Sequence, residues 1–180
     1  MSDKLRALLS TAAALGATLV TGAASAQDRP TPSGLPVPRY VSLKFDKVNA
    51  RSGPGDDHRL LWVYRIRGLP VQVVAETAEW RRVCDPEGAL VWVHKRTTDG
   101  RRTAMNVRAT PAPLRRRPKD SSRVTAYLKP RALASVVRCE DGWCLVRADE
   151  TTGWLREGEL WGTSEAVQCR AGAPRRPVGR

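Results

Sequence analysis

Trp80-Arg81-Arg82-Val83 and Leu90-Val91-Trp92-Val93 return later in the chain as Trp143-Cys144-Leu145-Val146 and Gly153-Trp154-Leu155. Trp80 to Trp143 and Val83 to Val146 are steps of 63 residues, and Trp92 to Trp154 is a step of 62. Upstream, Tyr64 recurs as Tyr127 and Val73 as Val136 at 63, while Arg51 recurs as Arg115 and Pro54 as Pro118 at 64. A near-constant offset with one-residue drift is what turns of unequal length produce between two copies of one unit. Asn106-Val107-Arg108 echoes Asn49-Ala50-Arg51 out of step with the rest, so it reads as a connector or an edge strand.

Within each copy the apolar period is about two rather than 3.6. Residues 60–64, 71–74, 80–83 and 90–93 are short β-branched or aromatic runs separated by Gly, Pro and Asp. The second copy gives 124–128, 133–137, 143–146 and 153–155 in the same order. Short strands at roughly ten-residue spacing predict an all-β barrel or sandwich. A unit of about 55 residues buries little core alone, so a disulfide and a tandem partner are physically sensible supports.

Val48-Asn49-Ala50-Arg51-Ser52-Gly53-Pro54-Gly55, the step Gly68-Leu69-Pro70-Val71, Glu79-Trp80-Arg81-Arg82-Val83, Gly88 and Trp92-Val93 together resemble the bacterial SH3-like repeat of exported proteins. Ala50 stands where that family usually has Val, and Leu90-Val91 where a Gly commonly precedes the last Trp. The second unit has Arg116-Arg117 in place of the first motif's Gly, but keeps Asp141-Gly142-Trp143 and Gly153-Trp154-Leu155. The resemblance implies two tandem small SH3-like β-barrels, at 41–100 and 112–163. It also implies a non-catalytic module that binds cell-wall peptide stems or targets a neighbouring catalytic domain. The remaining boundaries read as a signal peptide at 1–26, a linker at 27–40, a connector at 101–111 and a disordered basic tail at 164–180.

Composition is globular: 41% hydrophobic and 27% charged, with 31 Lys+Arg against 18 Asp+Glu for a net charge of +13. Only six of the 31 cations are lysine, so the charge can express base composition as readily as selection. Lys4 and Arg6 precede the apolar run 7–20 and the small residues Ala24-Ser25-Ala26, the pattern of a cleaved export signal that leaves no stable membrane span. A periplasmic or secreted protein meets anionic wall polymers and envelope proteins rather than nucleic acid, which is the partner expected here. The weaker alternatives are an accessory or regulatory subunit docking onto a cell-wall hydrolase, and a nucleic-acid-binding basic protein. The oligomeric state and the particular ligand are not written in the sequence.

Export also puts four cysteines where disulfides persist. Cys139-Glu140-Asp141-Gly142-Trp143-Cys144 has an Asp-Gly turn signal between two positions that oppose each other in a hairpin, which predicts a Cys139 to Cys144 bridge. Cys84 and Cys169 are left as a second bridge or as loose thiols. No C-x-x-C occurs and the two histidines are far from any cysteine pair, so neither a metal nor a cofactor is expected. Cys84 with His94 is a formal Cys/His pair without a setting that lowers a thiol pKa, and no enzymatic activity is expected.

Gly53, Gly55 and Gly68 are read as turn glycines, and Arg51 and Arg115 as donors to turn carbonyls. The paired tryptophans, Trp80 with Trp92 and Trp143 with Trp154, are expected to stack across the core or over one barrel mouth. Strict alternation cannot hide Trp62 and Tyr64 on one face and Val63 on the other unless one face stays partly open. Trp62, Tyr64 and Tyr127 are therefore the candidate ligand contacts, in the aromatic groove that barrels of this type expose.

Overall fold

A side chain's place on a strand decides whether it enters the core, because successive residues point to opposite faces. In the computed structural model, which describes residues 31–169, β5 (Trp80–Cys84) and β6 (Leu90–His94) turn Val83, Val91 and Val93 inward, none more than 1% exposed. Their partners across the ladder run Trp80 to His94 and Arg82 to Trp92, so the tryptophans lie on the other face. The core of each unit is accordingly made mainly of Val, Leu and Ala, and the expected stacking of Trp pairs across it does not occur.

The first unit also contains β1 (Arg39–Leu43), β2 (Val48–Arg51), β3 (Leu60–Tyr64), β4 (Pro70–Glu76), a 3-10 turn at Lys95–Thr97 and β7 (Thr98–Asp99). Its seven strands run in the order β3-β2-β6-β5-β4-β1-β7. The second comprises β8 (Thr103–Asn106), β9 (Ala112–Arg115), β10 (Val124–Leu128), β11 (Leu133–Glu140), β12 (Trp143–Ala148), β13 (Thr151–Arg156), a 3-10 turn at Glu157–Glu159 and β14 (Leu160–Trp161). Its order, β10-β9-β13-β12-β11-β8-β14, is the same topology. The fold is all-β, two tandem SH3-like barrels. No helix among the described residues is long and apolar enough to cross a membrane.

Two stretches read as linker and connector contribute strands. β1 begins at Arg39, and β8 lies within 101–111, where it pairs with β11 and β14 as the opening strand of the second barrel. Asn106 ends β8 and is fully buried, its amide donating to the Leu128 carbonyl at 2.9 Å. The proposed signal peptide and residues 170–180 lie outside the described residues.

The barrels touch through polar and apolar contacts. Ser42 Oγ lies 2.8 Å from Thr103 Oγ1, the Thr103 hydroxyl donates to the Gly68 carbonyl at 2.6 Å, and the Tyr40 ring meets Trp161 edge-on at 5.1 Å. Burial, the largest effect on it, pushes the Tyr40 phenol up to about 12. Past the second barrel the chain returns to the first. Gln72 in β4 donates to the Ala166 carbonyl and accepts from the Gln168 amide, both at 2.8 Å, and Cys169 is bonded to Cys84. Residues 164–169, read from the sequence as the start of a disordered tail, are thus a strap. Closing a loop of 85 residues is worth about 4.5 kcal/mol on chain-entropy grounds.

The second disulfide, Cys139 to Cys144, forms as the sequence predicts, across a tighter hairpin than a four-residue loop. Glu140 pairs with Trp143, leaving Asp141 and Gly142 at φ 50° and 74° as the whole turn. Both central residues of a type I′ turn need positive φ, which an Asp-Gly dipeptide supplies at little cost. The corresponding ladder position in the first barrel is Glu76 opposite Arg81. One copy therefore staples this position covalently and the other by charge. The Glu76 side chain is 3% exposed and takes Arg39 at 2.7 Å, Arg81 at 3.5 Å and the Ser33 hydroxyl.

Burial raises the Glu76 carboxyl, but the hydrogen bonds from Arg39 and Ser33 outweigh it and hold the group at about 2. Its folded value lies below its unfolded one, so the stability it adds is complete above about pH 4.5 and fades as pH falls toward 2. Denaturant unfolding is expected to show a loss of about 3 kcal/mol across that window. Glu76→Gln should flatten this part of the profile and leave the neutral-pH midpoint lower.

Candidate functional site

Arg51 closes β2, and its guanidinium turns back over the loop that follows. Nη1 donates to the His58 carbonyl at 2.8 Å and Nη2 to Asp56 Oδ1 at 3.0 Å. Backbone bonds from Ser52 to Arg59, Gly55 to Gly53 and His58 to Gly55 complete the loop. The second barrel repeats the arrangement: Arg115 Nη1 donates to the Ser122 carbonyl at 2.9 Å, and Arg116 to Arg123, Lys119 to Arg117 and Ser122 to Lys119 follow in order. Both arginines bind turn carbonyls, as the sequence predicts. Gly53 serves close approach rather than positive φ, since a Cβ there would run into the His58 ring. Its counterpart is Arg117, which fits because the smaller Ser122 replaces His58.

Beside this loop, the start of β5, the end of β6 and the 3-10 turn border a cleft of about 150 Å3. It is lined by Lys47, Asn49, Arg51, Asp56, Trp80, His94, Arg96 and Thr97. Trp80 and His94 oppose each other across the ladder with ring centroids 5.2 Å apart at 58°. His94 Nδ1 accepts the Arg96 amide at 3.2 Å, which fixes the ring, and its Nε2 stands 3.8 Å from Glu79. The Lys95 ammonium, bonded to Glu79 at 2.8 Å, is the main reason that carboxyl lies below its usual range. Arg51 Nε is buried and unpartnered, a donor at the cleft wall.

In the second barrel the tryptophan at this position is covered. Arg156 occupies the position of His94, opposite Trp143, with its guanidinium 4.3 Å over the indole. The same guanidinium is bonded to Asp120, which sits where Asp56 sits in the first barrel, and this bond is the main cause of Asp120's lowered pKa. Trp143 is 5% exposed on a strand face directed away from the core, because Arg156 covers it. Trp154 is covered in turn by Arg138 at 5.0 Å.

Of the residues singled out in the sequence, Trp62 and Tyr64 come together and Tyr127 does not join them. Trp62 meets the Tyr64 ring edge-on at 5.9 Å, and both pack with the first core rather than in an open groove. Tyr64 is 9% exposed, and its hydroxyl donates to Asp85 Oδ2 at 2.7 Å. Burial, followed by the charge of Asp85, pushes the Tyr64 phenol far up, and burial likewise raises the Asp85 carboxyl. The Asp85 carboxylate also accepts the Glu87 and Ala89 amides, at 3.0 and 2.8 Å, so it both caps the turn and anchors the tyrosine. Tyr127 lies on β10 of the other barrel and is 64% exposed.

The physical reason is register. Val48 pairs with Tyr64 and Ala112 with Leu128, so Leu128 is the counterpart of Tyr64, at an offset of 64 rather than 63. Tyr127 corresponds to Val63, and one step along a strand changes face. The second copy replaces the buried Tyr64 and Asp85 together by Leu128 and Ala148. Sequence reasoning missed the cleft of Trp80, His94 and Asn49 because it aligned the copies for likeness. The signal lay in a difference: histidine and arginine at one ladder position.

The profile of the family described as "Bacterial SH3 domain" matches residues 44–100 and 108–162. The chain therefore belongs to the bacterial SH3 domain family, with two tandem copies. No curated protein shows significant similarity to it. Among solved structures it is similar to NlpC2 from Trichomonas vaginalis at 15% identity, covering 69% of this chain and 48% of that one with a TM-score of 0.33. NlpC1 from the same organism is similar at 16% identity, covering 68% of this chain and 45% of that one with a TM-score of 0.32. The chain thus covers about half the length of these two structures. Cys84 is fully buried and disulfide-bonded, so it offers no thiol to His94.

Tyr64→Phe removes the donor from buried Asp85 Oδ2 and keeps the ring. Denaturant unfolding at neutral pH is expected to show a loss of about 1–3 kcal/mol. An unchanged midpoint would mean that this hydrogen bond carries none of the barrel's stability.

Proposed function

We propose that the chain is an exported, non-catalytic binding protein of the cell envelope, and that the first barrel's cleft is its ligand site. The ligand is a short, acidic, amide-rich peptide, such as the stem peptide of peptidoglycan. The observation that carries this reading is the asymmetry between the copies, since the cleft beside Trp80 is open where its twin is filled by Arg156. Trp80 offers an indole face, and Lys47 and Arg96 offer charge for a carboxylate. Asn49 supplies an amide that can both donate and accept. Such a set of a few polar groups around an apolar platform is the usual composition of a small ligand site.

Two disulfides among the described residues support a place outside the reducing cytoplasm. Periplasmic or secreted location is the reading these support together with the export-type N-terminus of the sequence. Trp62 packs against the first core and does not line the cleft. Tyr127 would belong to a separate surface of the second barrel.

Co-sedimentation of the purified protein with peptidoglycan sacculi over a salt series tests this. Pelleting that survives several hundred millimolar salt, and that falls at least tenfold in Trp80→Ala and in His94→Ala, is the expected result. Pelleting that disappears with salt, or that is indifferent to both substitutions, would remove the cleft from the account.

A further inference from the structure

The β9–β10 loop reproduces the backbone hydrogen bonds and the arginine clamp of the β2–β3 loop, and differs from it in charge. Residues 52–59 carry Asp56 and Asp57 against Arg59, whereas residues 116–123 carry Arg116, Arg117, Lys119 and Arg123 against Asp120. That one carboxylate is already engaged by Arg156, which lies on β13. The four cations and the hydroxyls of Ser121 and Ser122 surround an open pocket of about 320 Å3. Its walls are held in place: the Ser122 hydroxyl accepts the Arg117 amide at 3.0 Å, and Arg115 clamps the Ser122 carbonyl from below.

We infer that this loop is a phosphate-binding site, distinct from the cleft of the first barrel. The backbone does not require the cations, because the same turn forms in the first barrel from Ser52, Gly53 and Gly55 at the positions of Arg116, Arg117 and Lys119. The chemistry present is that of phosphate recognition: planar guanidinium forks that match two oxygens at once, a lysine as point charge, and hydroxyl donors for the remaining lone pairs. The group itself is either an inorganic or polymer phosphate or the headgroup of an anionic phospholipid. The covered Trp143 of this barrel fits such a division of labour, with the first copy reading a peptide and the second attaching to an anionic surface.

The full-length oxidised protein is titrated with inorganic phosphate, and separately with phosphatidylcholine vesicles with and without phosphatidylglycerol. The loop variant is Arg116→Ser/Arg117→Gly/Lys119→Gly, which installs the first barrel's residues. The control, Arg65→Ser/Arg67→Ser/Lys129→Ser, removes equal charge from exposed positions elsewhere. At about one favourable contact per cation, the loop variant is expected to bind the phosphate source roughly a hundredfold more weakly, and the control only slightly so. Lys119→Ser alone, an exposed single change, should cost roughly fivefold and serves if the triple variant does not fold. Binding of free phosphate identifies a soluble or polymeric source, and binding of phosphatidylglycerol vesicles alone identifies a lipid one. Equal loss in loop variant and control, or no binding to either probe, overturns the inference.

Discussion

An arginine at the end of the second strand holds each barrel's long loop in one shape. Arg51 and Arg115 each reach back to a carbonyl seven residues on, and three backbone bonds repeat around each clamp. The Ser122 carbonyl is half-buried, and leaving it without a donor costs about 1–3 kcal/mol, so Arg115 is hard to replace. Once it fixes the backbone, the loop's side chains are released from structural duty. The two copies use that freedom differently, with Gly and Asp in the first loop and Arg and Lys in the second.

The same logic runs along the β5–β6 and β12–β13 ladders. The inward residues are nearly interchangeable between copies, Val83 with Val146 and Val93 with Leu155, because a small core tolerates little else. Interacting pairs diverge in concert. Glu76 with Arg81 becomes a disulfide, Tyr64 with Asp85 becomes Leu128 with Ala148, and His94 over Trp80 becomes Arg156 over Trp143. Replacing both members of a polar pair is nearly neutral where removing one is not, which is why these changes come in pairs. The strap and the Cys84 to Cys169 bridge tie the end of the second copy back to the first.

Much of the fold was legible because period-two runs and the Trp and Val repeats are local signals. The Cys139 to Cys144 bridge was legible for the same reason, five residues apart across an Asp-Gly turn. Three things were not. The opening strand of each barrel lies outside the repeated motifs, and Thr103–Asn106 gains its strand character by pairing with β11 and β14. Cys169 meets Cys84 through a strap whose two anchoring bonds are 94 and 96 residues long in sequence, a distance no local pattern reports. The grouping of Tyr64 with Tyr127 failed by one residue of register, since it joined an inward residue to an outward one.

The account rests on the first barrel's cleft being open to a ligand while the second's is filled from within. Amide and indole chemical-shift mapping of the labelled protein with a soluble muropeptide tests this directly. The expected result is a set of shifts at Asn49, Arg51, the Trp80 indole and Arg96, with Trp143 and Arg156 unmoved. Shifts centred on Trp143 and Arg156, or a spectrum that does not change at saturating muropeptide, would contradict it.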